Sequence, residues 1–317
     1  MILMKQIFPR VTLSVIVLLL GHHFKPQPSD RKPRDEYILK VDVDLRLLHI
    51  TVFDEKEQLI KGLTRKDFNV YEDKIQQEIS IFKVEDIPVS LGLVIDNSGS
   101  MRTKRNRVNK AALTFVKTSN PEDEAFLINF NDQVYIDQEF TENLDDLTDA
   151  LDNIDARGGT ALYDAIYLSL KHLRGGQEDK KALLVITDGE DKDSRYDFDT
   201  VLELARESYA SIYIVGLFDR KRERTRNQKK AAKLLGELSL ETGGQYFFPE
   251  SVDEVEAICT RVAHQIRNQY TIGYKPTNLS HDGTWRDVTV KIAHSRKGKK
   301  KKWIARTKRG YYAPSDS

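Results

Sequence analysis

LGLVIDNSGSM, residues 91–101, runs from an uninterrupted apolar stretch into three oxygen-bearing side chains, Asp96, Ser98 and Ser100. A continuous apolar run of this kind marks a strand buried on both faces, as in a parallel sheet covered by helices. Two other stretches are built alike. DARGGTALYDA, 155–165, carries Thr160 after a glycine turn, and ALLVITDGEDK, 182–192, ends its apolar run at Asp188. Each lies where an apolar run or a glycine turn gives way to a helix-like pattern. In a doubly wound sheet such junctions crowd together at the carboxyl ends of the strands, where ligands bind. Two carboxylates and three hydroxyls are hard ligands, suited to Mg²⁺ and poor for zinc or copper. Asp96, Ser98, Ser100, Thr160 and Asp188 are therefore expected to form a hard-metal site.

The surroundings of these stretches alternate between strand and helix. After residue 101 a helix is expected, with Val108, Ala112, Phe115 and Val116 at helical spacing. AFLINF and VYIDQEF read as two strands joined by Asn131-Asp132-Gln133, and DDLTDALDNI as a helix. The Gly158-Gly159-Thr160 turn opens a helix with Leu162, Ala165, Ile166, Leu170 and Leu173 on one face. KALLVIT and SIYIVGLF are strands, FDTVLELARESY and KKAAKLLGELSLETGG are helices, and QYFF is a short strand. SVDEVEAICTRVAHQIRNQ is the last helix, with Ser251 as its N-cap before Glu254. The pattern predicts an α/β fold over 89–268, a doubly wound and mostly parallel sheet.

On both sides of this segment the texture is β. YILKVDVDLRLLHITVF alternates, and NVYEDKIQQEISIFKV reads as two short strands around a polar turn, with LTRKDF giving one helical turn at most. QYTIGYKP, TWRDVTVKIAH and KWIARTKRGYY are three further strand-like runs, and Trp285 and Trp303 are expected in their core. Three strands alone are marginal. The segments 29–88 (linker and β-rich part) and 269–317 are therefore expected to pack together as one small β-module. At the front, Lys5 and Arg10 precede VTLSVIVLLLG, a run within the range of a signal-peptide core and short for a membrane span. Segment 1–28 is expected to be a signal peptide or an uncleaved anchor. The protein is then exported: periplasmic, secreted or tethered to the membrane.

Composition bounds the rest. Of 317 residues, 39% are hydrophobic and 31% charged, enough for a real core. A mean hydropathy of −0.52 argues against an integral membrane body. The net charge of +1 is too balanced to imply a nucleic-acid partner. A single cysteine, Cys259, excludes an intrachain disulfide and any cysteine-built metal site, and its helical neighbours Val255, Val262 and Ile266 predict a buried position.

Taken jointly, Asp96-Asn97-Ser98-Gly99-Ser100, Thr160 and Asp188-Gly189 resemble the metal-ion-dependent adhesion site of von Willebrand factor A (VWFA) domains, with all five motif positions filled. The resemblance implies that Ser98, Ser100 and Thr160 are hydroxyl ligands of Mg²⁺ (or Mn²⁺), while Asp96 and Asp188 hold charge and orient coordinated water. It also implies that an Asp or Glu of a protein partner completes the shell. Asn97, Gly99, Met101, Gly159, Gly189 and Glu190 would form the rim against which that partner sits. The flanks resemble bacterial exported "VWFA-related" proteins, in which a β-rich segment precedes the domain and endings like Tyr270–Tyr274 and Arg309–Tyr312 follow it. The function expected is non-catalytic, metal-dependent protein binding in adhesion or assembly.

Two other readings compete. An Asp beside Mg²⁺ at a strand end also suits a phosphoesterase. Phosphatases with an aspartyl nucleophile, however, generally need a second Asp two residues on, where this chain has Ser98. No phosphate-binding glycine loop and no Gly-x-Ser-x-Gly elbow occurs, and His172 and His264 lie on helices away from the metal loops. The basic runs RKGKKKK (296–302) and KRERTRNQKK (221–230) would alternatively bind anionic envelope polymers in a salt-sensitive way.

Overall fold

The computed structural model describes residues 45–84, 86–152, 156–218, 225–293 and 302–315. Segment 1–28, expected to be a signal peptide or anchor, the chain up to residue 44, and residues 221–224 and 296–301 of the two basic runs lie outside them.

Ahead of the central domain come β1 (Arg46–Phe53), β2 (Phe68–Glu72), β3 (Ile75–Gln77) and β4 (Ile79–Lys83). The central domain follows with β5 (Val89–Asp96), α1 (Arg105–Thr118), β6 (Glu124–Phe130), β7 (Val134–Thr141), α2 (Leu144–Asp152) and α3 (Leu162–Leu173). It continues through β8 (Lys180–Thr187), α4 (Phe198–Glu207), β9 (Ala210–Gly216), α5 (Arg226–Glu241), β10 (Tyr246–Phe247) and α6 (Val255–Arg267). Behind it lie β11 (Tyr270–Tyr274), β12 (Trp285–Ile292), β13 (Ile304–Arg306) and β14 (Gly310–Tyr312).

The expected doubly wound α/β sheet is present, in the order β10-β9-β8-β5-β6-β7. β5, β6, β8, β9 and β10 run parallel, and β7 folds back antiparallel on β6 through the Asn131–Gln133 turn. Alternate residues of the buried strands feed opposite cores. Leu91, Leu93, Leu127 and Leu184 face α1, α2 and α6, while Val94, Phe126, Ile128 and Val185 face α3, α4 and α5. With both faces covered, every residue of β5 is buried, which is why its sequence reads as one apolar run. Gly92 fits this packing because a Cβ there would lie 2.3 Å from Leu183 and 2.5 Å from Phe126.

The order of strands sets the place of the site. From β5 the chain winds outward through β6 to β7, then returns to β8 on the other side and winds out through β9 to β10. β5 and β8 are thus the neighbours at which the winding reverses, and the crevice outside their carboxyl ends is the expected ligand position.

The flanking strands interleave. β1 pairs with β11 and β13, and β11 also pairs with β4, while β2 pairs with β12 and β3, and β12 also pairs with β14. Both four-stranded sheets mix strands from before and after the central domain, and Ile50, Val52, Val70, Tyr270, Ile272 and Val288 share one core. Trp303 packs against that core, whereas Trp285 meets the Tyr312 ring edge-on and lies beneath the Arg206 guanidinium.

Local differences from the sequence expectations have physical causes. NVYEDKIQQEISIFKV forms three strands, because Asp73 and Lys74 take positive φ (48° and 70°) in a tight β2–β3 turn and β4 then crosses to the other sheet. KWIARTKRGYY splits into β13 and β14, with Arg309 between them donating its amide to Glu241 O (3.1 Å) and accepting from Val288 N (2.7 Å). Ser251 caps a short 3-10 turn through Asp253 N, and α6 proper begins at Val255. Thr225 caps α5 reciprocally with Gln228, so residues 226–230 of one basic run form the first turns of a helix. Among the described residues, no helix is long and apolar enough to cross a membrane.

One buried carboxylate ties the two flanking sheets together. Glu72 on β2 accepts at 2.8 Å from the hydroxyls of both Tyr274 on β11 and Tyr311 on β14. Burial, with the Glu72 charge second, pushes the Tyr274 hydroxyl far above its ordinary range, so it stays a donor. Glu72→Ala strands the buried Tyr274 hydroxyl and removes a partner from the half-buried Tyr311, and is expected to lower stability by about 3 kcal/mol, read from urea unfolding. Cys259 is fully buried, and burial pushes its thiol up to about 12. It should therefore resist alkylation in the native protein and label only on unfolding, as followed by mass spectrometry.

Candidate metal site

β5 ends in Asp96, whose side chain is closed off from water, with 2% of the residue exposed. Its Oδ1 accepts from Ser98 N at 2.9 Å, and its Oδ2 accepts from the Thr187 hydroxyl at 2.6 Å and, more weakly, from Asp188 N at 3.4 Å. Burial raises the Asp96 carboxyl above its ordinary range; the hydrogen bonds from Thr187 and Ser98 pull it back, and the Asp188 charge adds to the rise. A desolvated carboxylate in this position is electrostatically short of positive charge.

The chain turns sharply after Asp96. Asn97 N donates to Phe130 O (2.7 Å), and Asn97 O accepts from Arg157 N (3.0 Å), pinning the turn to β6 on one side and to the 156–160 loop on the other. Ser98 then opens a 3-10 turn, Gly99–Met101, that leads into α1, its carbonyl accepting from Met101 N at 3.0 Å. The Ser98 and Ser100 hydroxyls lie 3.0 Å apart, and Ser100 Oγ donates to Asp188 Oδ1 at 2.8 Å. The other Asp188 oxygen is held in an ion pair by the Lys104 ammonium.

Thr160 is brought in by the glycine turn. Gly99 N donates to Gly158 O (3.2 Å), Ala161 N donates to Asn131 O (2.5 Å), and Thr160 N donates to Asp193 Oδ2 (2.6 Å). Gly158 has a φ of +76°, in the left-handed region that favours glycine. Gly189 marks where the loops meet, because a Cβ there would lie 3.4 Å from Thr160 Oγ1 and 3.8 Å from Asp96 Oδ2. Asp96, Ser98, Ser100, Thr160 and Asp188 are thus gathered at the carboxyl ends of β5 and β8.

This donor set fits a hard divalent cation. All five side chains offer oxygen, and the positive group that the structure does place on them, the Lys104 ammonium, sits on one of the two carboxylates. Among the described residues, no group of three or more His, Cys, Asp or Glu is arranged to hold a metal, so a cation at this place would depend on the hydroxyls.

The six rim positions divide. Gly99 is exposed, and Gly159, Gly189 and Glu190 are half-buried, with Glu190 accepting from the Thr225 hydroxyl at 3.3 Å. Met101, by contrast, is 1% exposed and packs into the core under α1, and Asn97 is buried as well. At the end of the 3-10 turn ahead of α1, Met101 joins the core that α1 covers, so it offers a partner no side-chain surface here. Sequence reasoning passed over three supporting residues: Thr187, Asp193 and Lys104. Thr187 was readable as part of the strand-end ITDG, but nothing in RTKRNR distinguishes Lys104 from its basic neighbours.

Residues 91–190 match the family model of the von Willebrand factor type A domain, and the chain carries a domain of that type. A protein of Synechocystis sp., the uncharacterized protein sll0103, is 29% identical over 110 residues, 33% of this chain and 26% of that protein. The match thus spans about a quarter of that relative's length. Among solved structures, a von Willebrand factor type A protein from Catenulispora acidiphila is 12% identical, with 86% of this chain and 74% of that one covered and a TM-score of 0.48. The conserved hypothetical protein BatB from Bacteroides thetaiotaomicron is 17% identical, with 56% and 98% covered and a TM-score of 0.46. The vWF domain of the type V pili tip protein Mfa5 from Porphyromonas gingivalis is 12% identical, with 57% and 95% covered and a TM-score of 0.46.

Gly159 tests how Thr160 is held. A Cβ on residue 159 would stand 2.0 Å from Asp193 Oδ2, the oxygen that accepts from Thr160 N. Gly159→Ala is expected to expel that carboxylate and lower stability by about 2 kcal/mol. Hydrogen exchange at the Thr160 amide should accelerate in the same variant.

Proposed function

We propose that this chain is a non-catalytic, divalent-metal-dependent protein-binding module, in which an Asp or Glu of a partner completes the shell of a Mg²⁺ (or Mn²⁺) ion. The observation that supports it is the convergence of Asp96, Ser98, Ser100, Thr160 and Asp188 from three loops onto the winding reversal of the sheet. Ser98, Ser100 and Thr160 would hold the ion through their hydroxyls, with Asp96 and Asp188 supplying charge. Bound there, the ion would offer an electrophilic position to an incoming carboxylate.

The chain's own residues suit that task. Asp96 is fixed by Ser98 N and the Thr187 hydroxyl, so it does not reorganise when a partner arrives. Ser100 and Gly99 are exposed, which opens the approach from solvent. The site also lacks the company that chemistry requires. The Ser98 and Ser100 hydroxyls are engaged with each other and with Asp188, and among the described residues no imidazole is hydrogen-bonded to them. His172 is stacked on Phe140 and paired with Glu139, and His49 lies on β1 opposite Thr271. The apolar segment near the amino end supports a place of action outside the cytoplasm.

Mg²⁺ should raise the melting temperature of the wild-type protein, by an amount equivalent to about 2.7 kcal/mol at a hundred times its dissociation constant. Asp96→Ala should keep the fold, as judged by circular dichroism, and lose the Mg²⁺ response. In a pull-down from the native envelope, partner capture should require Mg²⁺ and vanish with Asp96→Ala. Capture that persisted in EDTA would overturn the proposal.

A further inference from the structure

We propose that Lys104 is a built-in counter-cation of this site, whose ammonium competes with the divalent ion for Asp188 and so sets the ion concentration at which the site loads. The inference rests on the metal-binding reading above and adds a residue which that reading does not use.

Its position is fixed by the backbone. Lys104 N donates to Met101 O (2.8 Å), and Lys104 O accepts from Arg107 N and Val108 N (3.1 Å each). The Cα therefore sits one turn beyond the Ser98–Met101 turn, at the start of α1. A lysine there faces the positive end of the helix dipole, which local propensity disfavours. A position that breaks a local rule calls for a compensating contact, and Asp188 is that contact.

The pair is well covered. The Lys104 side chain is 27% exposed and that of Asp188 only 2%. An ion pair this sheltered is screened far less than one on the open surface. It also consumes what a metal would need, since one Asp188 oxygen accepts from Ser100 and the other is held by Lys104.

Charge counting gives the consequence. Asp96 and Asp188 bring two negative charges and Lys104 one positive, leaving a single negative charge in the set. A divalent ion entering this set meets a fixed like charge within the same small volume and turns the total positive. Without Lys104 the same ion would neutralise the two carboxylates. At separations of a few ångströms in a partly buried site, that difference corresponds to about tenfold or more in affinity. The positive total left by loading is the charge that one partner carboxylate cancels, so Lys104 both opposes the bare ion and favours the ion together with an acidic ligand.

The test titrates Mg²⁺ alone into the full chain by calorimetry, comparing wild type with Lys104→Met, Lys104→Gln and Lys104→Arg, with thermal unfolding in EDTA as a check on folding. Lys104→Met should bind Mg²⁺ about tenfold more tightly or better. Lys104→Gln, which keeps a hydrogen-bond donor without the charge, should behave alike and serves if the Met variant does not fold. Lys104→Arg should stay close to wild type, which separates charge from packing. Equal or weaker Mg²⁺ binding by the neutral variants, beside measurable binding by wild type, overturns the role of Lys104. No Mg²⁺ binding by wild type or by any variant overturns the metal site itself, and this inference with it.

Discussion

Desolvation of the Asp96 carboxylate constrains much of the surrounding structure. It terminates a strand buried on every residue, between β6 and β8, where water cannot reach to satisfy it. A buried carboxylate without partners would cost several kilocalories per mole. The chain meets this by turning at Asn97, so that Ser98 N points back at one oxygen, and by ending β8 at Thr187, so that its hydroxyl reaches the other. Both loops are shaped by this requirement. Once Ser98 opens the 3-10 turn, Ser100 is carried outward to Asp188, and the hydroxyls fall into line beside the carboxylates.

A second set of polar contacts lies at the opposite end of the central sheet, where its parallel strands begin. Arg267, at the end of α6, pairs with Asp86 just ahead of β5, and the buried Lys180 at the start of β8 donates to Ile266 O. Lys308 reaches Ser208 O ahead of β9, and Arg309 reaches Glu241 ahead of β10. All of these contacts involve the amino ends of parallel strands. Burial pulls Lys180 down to about 8 against the charges of Asp86 and Asp123, and burial pushes Asp123 up to about 6. These ionisable contacts thus lie at the amino ends of the parallel strands, away from the carboxyl ends, where the loops after β5 and β8 meet.

That division explains what the sequence could and could not reveal. β5 and β8 were legible because strands covered on both faces must be apolar throughout, and α3 because Leu162, Ala165, Ile166, Leu170 and Leu173 repeat at helical spacing. The five oxygen donors were legible because they sit at fixed offsets from those runs. Lys104 and Asp193 were not, since each acts through a contact tens of residues distant, 84 and 33 positions away. Strand count in the flanks failed for a related reason. Isolated β-runs carry no mark of where they change sheets, and β3 and β4 are separated by Glu78 alone. Met101 was misjudged as rim because loop proximity in sequence says nothing about which way a side chain turns; the apolar stripe of α1 draws it inward.

The donor chemistry and Lys104 together bear on how such a site would hold a partner. Neutral hydroxyls give a divalent ion little charge compensation, and a fixed ammonium on Asp188 takes away part of what the two carboxylates offer. Each feature would weaken retention of a bare ion, and each would be relieved by a third carboxylate arriving from outside. Ion and acidic ligand then favour one another's binding, and thermodynamic reciprocity requires the effect to be equal in both directions. In a site with four or five protein carboxylates the ion would stay regardless of the partner. On the proposed reading, the scarcity of negative charge here would make occupancy conditional on the ligand, the property that suits a metal to reversible recognition.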